Sequence, residues 1–135
     1  MIVVDASVLA NAVGDDDAAG RTARARLAAA GRCAAPDLVD AETVAVLRKR
    51  WLAGDLTARR FRAAVDDLLA LPLLRFSSGP LMPRAYELRA NATPYDAAYV
   101  ALAEGLACSL VTADARLARA PGVRCAVEVL AVDGR

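Results

Sequence analysis

Short apolar runs, each stopped by a polar or turn-forming residue, alternate along this chain with longer stretches whose apolar positions recur every three or four residues. Ile2-Val3-Val4 is the first run and ends at Asp5. Arg32-Cys33-Ala34-Ala35, stopped by Pro36, is a weaker second, and Leu73-Leu74-Arg75-Phe76 a third. Ser109-Leu110-Val111 is the fourth, and the stretch from Val123 to Leu130 is expected to contain an edge strand. Runs without strict alternation suit strands buried on both faces.

The intervening segments read as helices. Ala6 to Ala12 predicts a brief one, followed by a polar loop at Gly14-Asp15-Asp16-Asp17. Ala18 to Ala30 is Ala-rich and closed by Gly31. Asp37 opens a helix that runs to Gly54, with Asp40 at capping-box spacing. Thr57 caps another, to about Leu71, with Phe61, Val65, Leu68 and Leu69 as its apolar stripe. After the Ser77-Ser78-Gly79-Pro80 turn, a helix is predicted from about Leu81 to Ala90. Thr93 and Pro94 then stand as N-cap and first residue of a helix to Leu106. Its core side is predicted as Tyr95, Tyr99, Leu102 and Leu106. Asp114 is placed to cap a last short helix. Strands alternating with helices predict an α/β fold: a parallel sheet covered on both faces, in one domain over residues 1–135.

Composition removes several chemistries. With 57% hydrophobic and 24% charged residues the chain is globular. Its formal charge of +1 leaves any nucleic-acid affinity to local patches. The sequence lacks a membrane-length apolar run and a signal-peptide start, so a cytoplasmic protein is expected, with no membrane partner. Cys33, Cys108 and Cys125 form no Cys-x-x-Cys pair and read as free thiols beside strands. Histidine is absent, which excludes His-paired nucleophiles, imidazole acid–base nucleases and His-containing zinc sites. The single lysine, Lys49, follows no Gly-rich loop, so there is no phosphate-cradling P-loop.

What remains is carboxylate chemistry. Ligands of open parallel sheets bind outside the carboxyl ends of the strands. Asp5 and Asp114 follow strand ends, Asp96 lies in a first helical turn at that rim, and Glu42 lies one turn into its helix on an apolar row. Each acid alone has an ordinary role as a cap or first-turn residue. Four such acids converging on one rim would repel, and a divalent cation resolves that conflict. All-oxygen ligation favours Mg²⁺ or Mn²⁺. Such ions support phosphodiester hydrolysis without histidine.

Val4-Asp5-Ala6-Ser7, Ala41-Glu42, Tyr95-Asp96-Ala97-Ala98-Tyr99 and Val111-Thr112-Ala113-Asp114-Ala115-Arg116-Leu117 resemble, in order, the motifs of PIN-domain ribonucleases. The likeness covers essentially the whole chain and is strongest to the VapC toxins of type II toxin–antitoxin modules. It implies a three-layer α/β/α PIN-like domain with a central, mainly parallel sheet, and Mg²⁺-dependent endoribonuclease activity. The catalytic and metal-ligating set would be Asp5, Glu42, Asp96 and Asp114, with Ser7 and Thr112 as supporting hydroxyls. It also implies an RNA substrate, a cognate VapB-type antitoxin and a homodimer. Some family members carry a further acid where this chain has Arg116. Arg116 and Arg119 are placed to meet RNA phosphate, while Arg48-Lys49-Arg50 and Arg59-Arg60-Arg62 read more simply as solvated faces. Three other readings stand beside this one. A phosphoacceptor receiver domain wants a paired acid after the first strand and a lysine near the last, both missing here. A PIN nuclease of RNA processing and a non-catalytic PIN interaction module remain as alternatives.

Overall fold

The computed structural model describes residues Met1–Ala131. Strands β1 (Ile2–Val4), β2 (Cys33–Pro36), β3 (Leu73–Phe76), β4 (Ser109–Thr112) and β5 (Val127–Val129) join in one sheet, ordered β3-β2-β1-β4-β5. Every neighbouring pair is parallel, and Val3 of β1 sits in register between Ala34 of β2 and Leu110 of β4. The strand order reverses between β1 and β4. Their carboxyl ends therefore flank the crevice where this architecture binds ligands.

Helices α1 (Ala6–Gly14), α2 (Ala18–Ala30), α3 (Val39–Leu52) and α4 (Ala58–Ala70) pack on one another. Helix α5 (Met82–Glu87) packs on α6 (Pro94–Leu106), which lies against β1, β2 and β4. A single turn, α7 (Ala115–Ala118), joins β4 to β5. The right-handed connections through α1–α4 step one way across the sheet and the connection through α5–α6 steps back. The two groups therefore cover opposite faces. Val3, Val4, Leu9, Leu47, Leu68, Tyr99, Leu110 and Val111 are all but inaccessible to solvent. Buried Ala97, Ala98, Ala101 and Ala103 let α6 approach the sheet closely. Its end is turned by Ala107, whose left-handed φ of 53° directs Cys108 N–H onto Ala103 O at 3.0 Å.

Four local expectations are corrected. Asp37 and Asp40 form no capping box: α3 starts at Val39 without a side-chain cap. Asp37 instead accepts the Ser78 hydroxyl, and Asp40 takes the Arg75 guanidinium of β3 at 2.8 and 3.0 Å. Tertiary partners outbid the local cap. Pro36 is the last residue of β2 rather than its stop; at a strand end a missing N–H costs little. Helix α5 ends at Glu87, short of Ala90, as the chain tightens into turns that bury Leu88. Tyr95 is 55% exposed and does not join the core face with Tyr99 and Leu102.

Candidate active site

Asp5 leaves β1 in extended conformation and caps α1, its Oδ1 accepting the N–H groups of Ser7 and Val8 at 3.1 and 3.3 Å. The same oxygen accepts the Ser7 hydroxyl at 2.6 Å, and Oδ2 accepts the Thr112 hydroxyl at 2.5 Å. Both hydroxyls also accept from the chain just beyond β4: Ala113 N–H reaches Ser7 Oγ at 2.9 Å, and Asp114 N–H reaches Thr112 Oγ1 at 3.0 Å. Ser7 and Thr112 thus tie the two strand ends together across the crevice, with Asp5 between them. Asp5 is only 6% exposed. Burial raises its pKa, and the hydrogen bonds from Ser7, Thr112 and Val8 pull it part of the way back.

Glu42 comes from α3 and Asp96 from the first turn of α6, where its N–H is held by Thr93 Oγ1 at 3.2 Å. Both are half-buried. The Glu42 carboxyl is pushed up by burial and by the charges of Asp96 and Asp5. Asp96 is pushed up by burial and then by Asp5 and Asp114. Asp5, Glu42 and Asp96 therefore feel one another, and none of them forms an ion pair among the described residues. As the side chains lie, no three acids or thiols among the described residues close around a common point.

Asp114 is different. It caps α7 through Arg116 N–H at 2.9 Å, and the Arg116 guanidinium grips both its oxygens, Nε at 3.1 and 3.3 Å and Nη2 at 2.8 Å. Arg116 holds its carboxyl below the ordinary value. Arg119 lies close enough to add a weaker pull and forms no ion pair with it. Half of the two basic runs is occupied elsewhere: Arg50 bonds Asn11 and Ala10 O, Arg60 pairs with Asp16, and Arg62 pairs with Asp66.

One residue of the site escaped the sequence reading in this role. Tyr99 is 1% exposed, and its hydroxyl donates to Glu42 Oε1 at 2.7 Å, bridging α6 to α3. Periodicity marks it as core, which it is; its polar tip is the missed part. A buried Tyr needs a partner for its O–H, and an acid from another element is a natural one.

The rim thus offers oxygen donors alone: three carboxylates without basic partners, steadied by three hydroxyls. Burial raises all three pKa values, and like charge adds to the rise at Glu42 and Asp96. This donor set fits a hard divalent cation and does not suit zinc or copper.

A family model described as the PIN domain matches residues 2–123. The chain is 41% identical over 130 residues to "VapC ribonuclease Mb0985" of Mycobacterium bovis, covering 96% of this chain and 98% of that one. Among solved structures, Mycobacterium tuberculosis VapC20, described as a Sarcin-Ricin loop cleaving toxin, superposes with a TM-score of 0.68 at 22% identity. That match covers 92% of this chain and 97% of the other. VapBC2 from Rickettsia felis, bound to a DNA fragment from their promoter, also gives 0.68, at 16% identity over 96% and 98%. These two structures share the fold.

Proposed function

The chain belongs to the PIN-domain family and within it to the VapC ribonucleases, and on that basis we propose that it is an endoribonuclease toxin hydrolysing RNA phosphodiester bonds. One observation carries the reading: Asp5, Glu42 and Asp96, brought from three separate elements to the switch-point rim, lack basic partners among the described residues. Asp5 and Asp96 are the principal ligands of a divalent cation, Mg²⁺ or Mn²⁺, with Glu42 beside them and Asp114 at the edge of the cluster. When bound, that ion supplies a water of lowered pKa and a positive charge for a phosphate oxygen. The chain's own groups do the positioning. Ser7 and Thr112 fix both oxygens of Asp5 by donating to them. Tyr99 fixes Glu42. Carboxylates without basic partners gain from sharing a cation.

The RNA substrate, supported by the relatives' names, and a VapB-type antitoxin that restrains the enzyme, supported by the VapBC2 assembly of the same fold, complete the proposal, with a homodimer carried by the motif resemblance alone. No described helix is long and apolar enough to cross a membrane. Cleavage of labelled total RNA by the antitoxin-free chain, with Mg²⁺ or with EDTA and beside Asp96→Asn, tests the reading. Cleavage that needs Mg²⁺ and disappears in the variant supports it. Equal cleavage by both proteins, or indifference to EDTA, sinks it.

A further inference from the structure

In-line hydrolysis of a phosphodiester asks for positive charge near both the entering and the leaving oxygen, and two-ion sites meet both needs with metal. The acids of this rim fall into two groups that share Asp96. Asp5 and Glu42, held by hydroxyls, make one, and Asp114, held by Arg116, makes the other. The first group is unpaired among the described residues. The second is not: both Asp114 oxygens are spent on Arg116, through its backbone N–H and its forked guanidinium. That fork is the shape that binds phosphate oxygens in pairs. The Arg116 side chain is 84% exposed, so it reaches solvent and any bound strand from the edge of the crevice. Asp96 also feels its charge.

Resting on the metal-dependent reading above, we propose that Arg116 is the second cation of this enzyme: it holds Asp114 in the place of a second metal ion and meets the phosphate of the RNA. Asp114 is then a positioning residue for Arg116, and the chain takes one ion.

Calorimetric titration of the full chain with Mn²⁺ alone counts the ions directly. One ion per chain is expected for the unaltered protein and for Arg116→Lys, which keeps the charge. Two are expected for Arg116→Ala, and one again when Asp114→Asn is added to it. RNA cleavage by Arg116→Ala at one equivalent of Mn²⁺ should fall by about a hundredfold, as on losing one charge-stabilising donor, and recover in excess Mn²⁺. Two ions in the unaltered protein, or one in Arg116→Ala, overturns the proposal. No Mn²⁺ in any of them overturns the metal-dependent reading itself. Arg116 is exposed, so its loss leaves the fold intact, which circular dichroism verifies.

Discussion

Asp96 in the first turn of α6 and Glu104 near its end are separated by about 12 Å of one helix, yet their surroundings are opposite. By the helix dipole alone Asp96 is the favoured acid, and Glu104 the disfavoured one. The shifts run the other way. Glu104 accepts the Arg84 guanidinium at 2.8 and 3.2 Å and Arg124 N–H at 2.8 Å, and Arg84 holds its carboxyl below the ordinary value. Arg84 in turn reaches Gly122 O at 2.7 Å, so the cluster pins α5 and the 122–124 segment to α6. Asp96 has no such partner and is pushed up by burial, Asp5 and Asp114. One end of the helix spends its acid on holding the fold; the other keeps an acid uncompensated. That second arrangement costs stability, and such a cost is typical of a group kept for chemistry.

Asp96→Asn separates the two ends most sharply. RNA cleavage is expected to fall by about 10²–10³-fold, while the melting temperature of the ion-free protein holds or rises because a repulsive charge has gone. A comparable loss of melting temperature in the variant would contradict the contrast. Glu104→Gln should do the reverse, lowering stability by about 2 kcal/mol through a weakened, mostly buried charged hydrogen-bond cluster, with kcat per folded molecule little changed. The Glu104 side chain is 16% exposed and that of Arg84 18%, so solvent screens the pair only partly. Chemical denaturation beside an RNA assay checks both halves.

Tyr99→Phe removes the hydroxyl that holds Glu42. If Glu42 ligates the ion as proposed, losing this outer partner should weaken Mn²⁺ binding by about tenfold, with a near-normal urea midpoint. An unchanged affinity would leave Tyr99 a core residue only.

The smallest effect concerns pH. Asp5, Glu42 and Asp96 have folded-state pKa values above their unfolded ones. Their contribution to stability is full below the unfolded values and is lost as pH rises through the folded ones. Glu104 has a lowered value, so its contribution is present above the unfolded value and lost as pH falls through the folded one. Thermal melts of ion-free protein should therefore show greatest stability within the ordinary carboxylate range, with a decline toward neutral pH as the rim acids ionise. Mg²⁺ should raise the melting temperature more at pH 7 than at pH 5. A stability that only rises from pH 5 to 7 would mean the rim acids are not strained.

Much of the architecture is legible from local pattern. The short, largely apolar runs at Ile2–Val4, Leu73–Phe76 and Ser109–Val111 lie within observed strands, and Thr57 and Thr93 do cap α4 and α6. The capping-box reading of Asp37 and Asp40 failed because Ser78 and Arg75, more than thirty residues away, offered those acids stronger partners. Tyr95, in the first turn of α6, is 55% exposed although its spacing to the buried Tyr99 is right for one face. The acids themselves were placed at one rim by the alternation of strands and helices, and they lie within electrostatic reach of one another there. Their roles rest on the experiments above.

By itself, then, the sequence determined which segments are strands and helices, the parallel sheet, and the rim to which Asp5, Glu42, Asp96 and Asp114 come. Periodicity and strand polarity are local properties, and they suffice for that. Only the tertiary structure decided which acids stay unpaired. Glu104 met Arg84 and Asp114 met Arg116, while Tyr99 turned its hydroxyl to Glu42 and both Asp5 oxygens took hydroxyls from neighbouring strand ends. Charge state follows from the nearest partner and the depth of burial; Arg116 and Ser7 stand two residues from their acids, but Arg84, Tyr99 and Thr112 reach theirs from other elements of the chain.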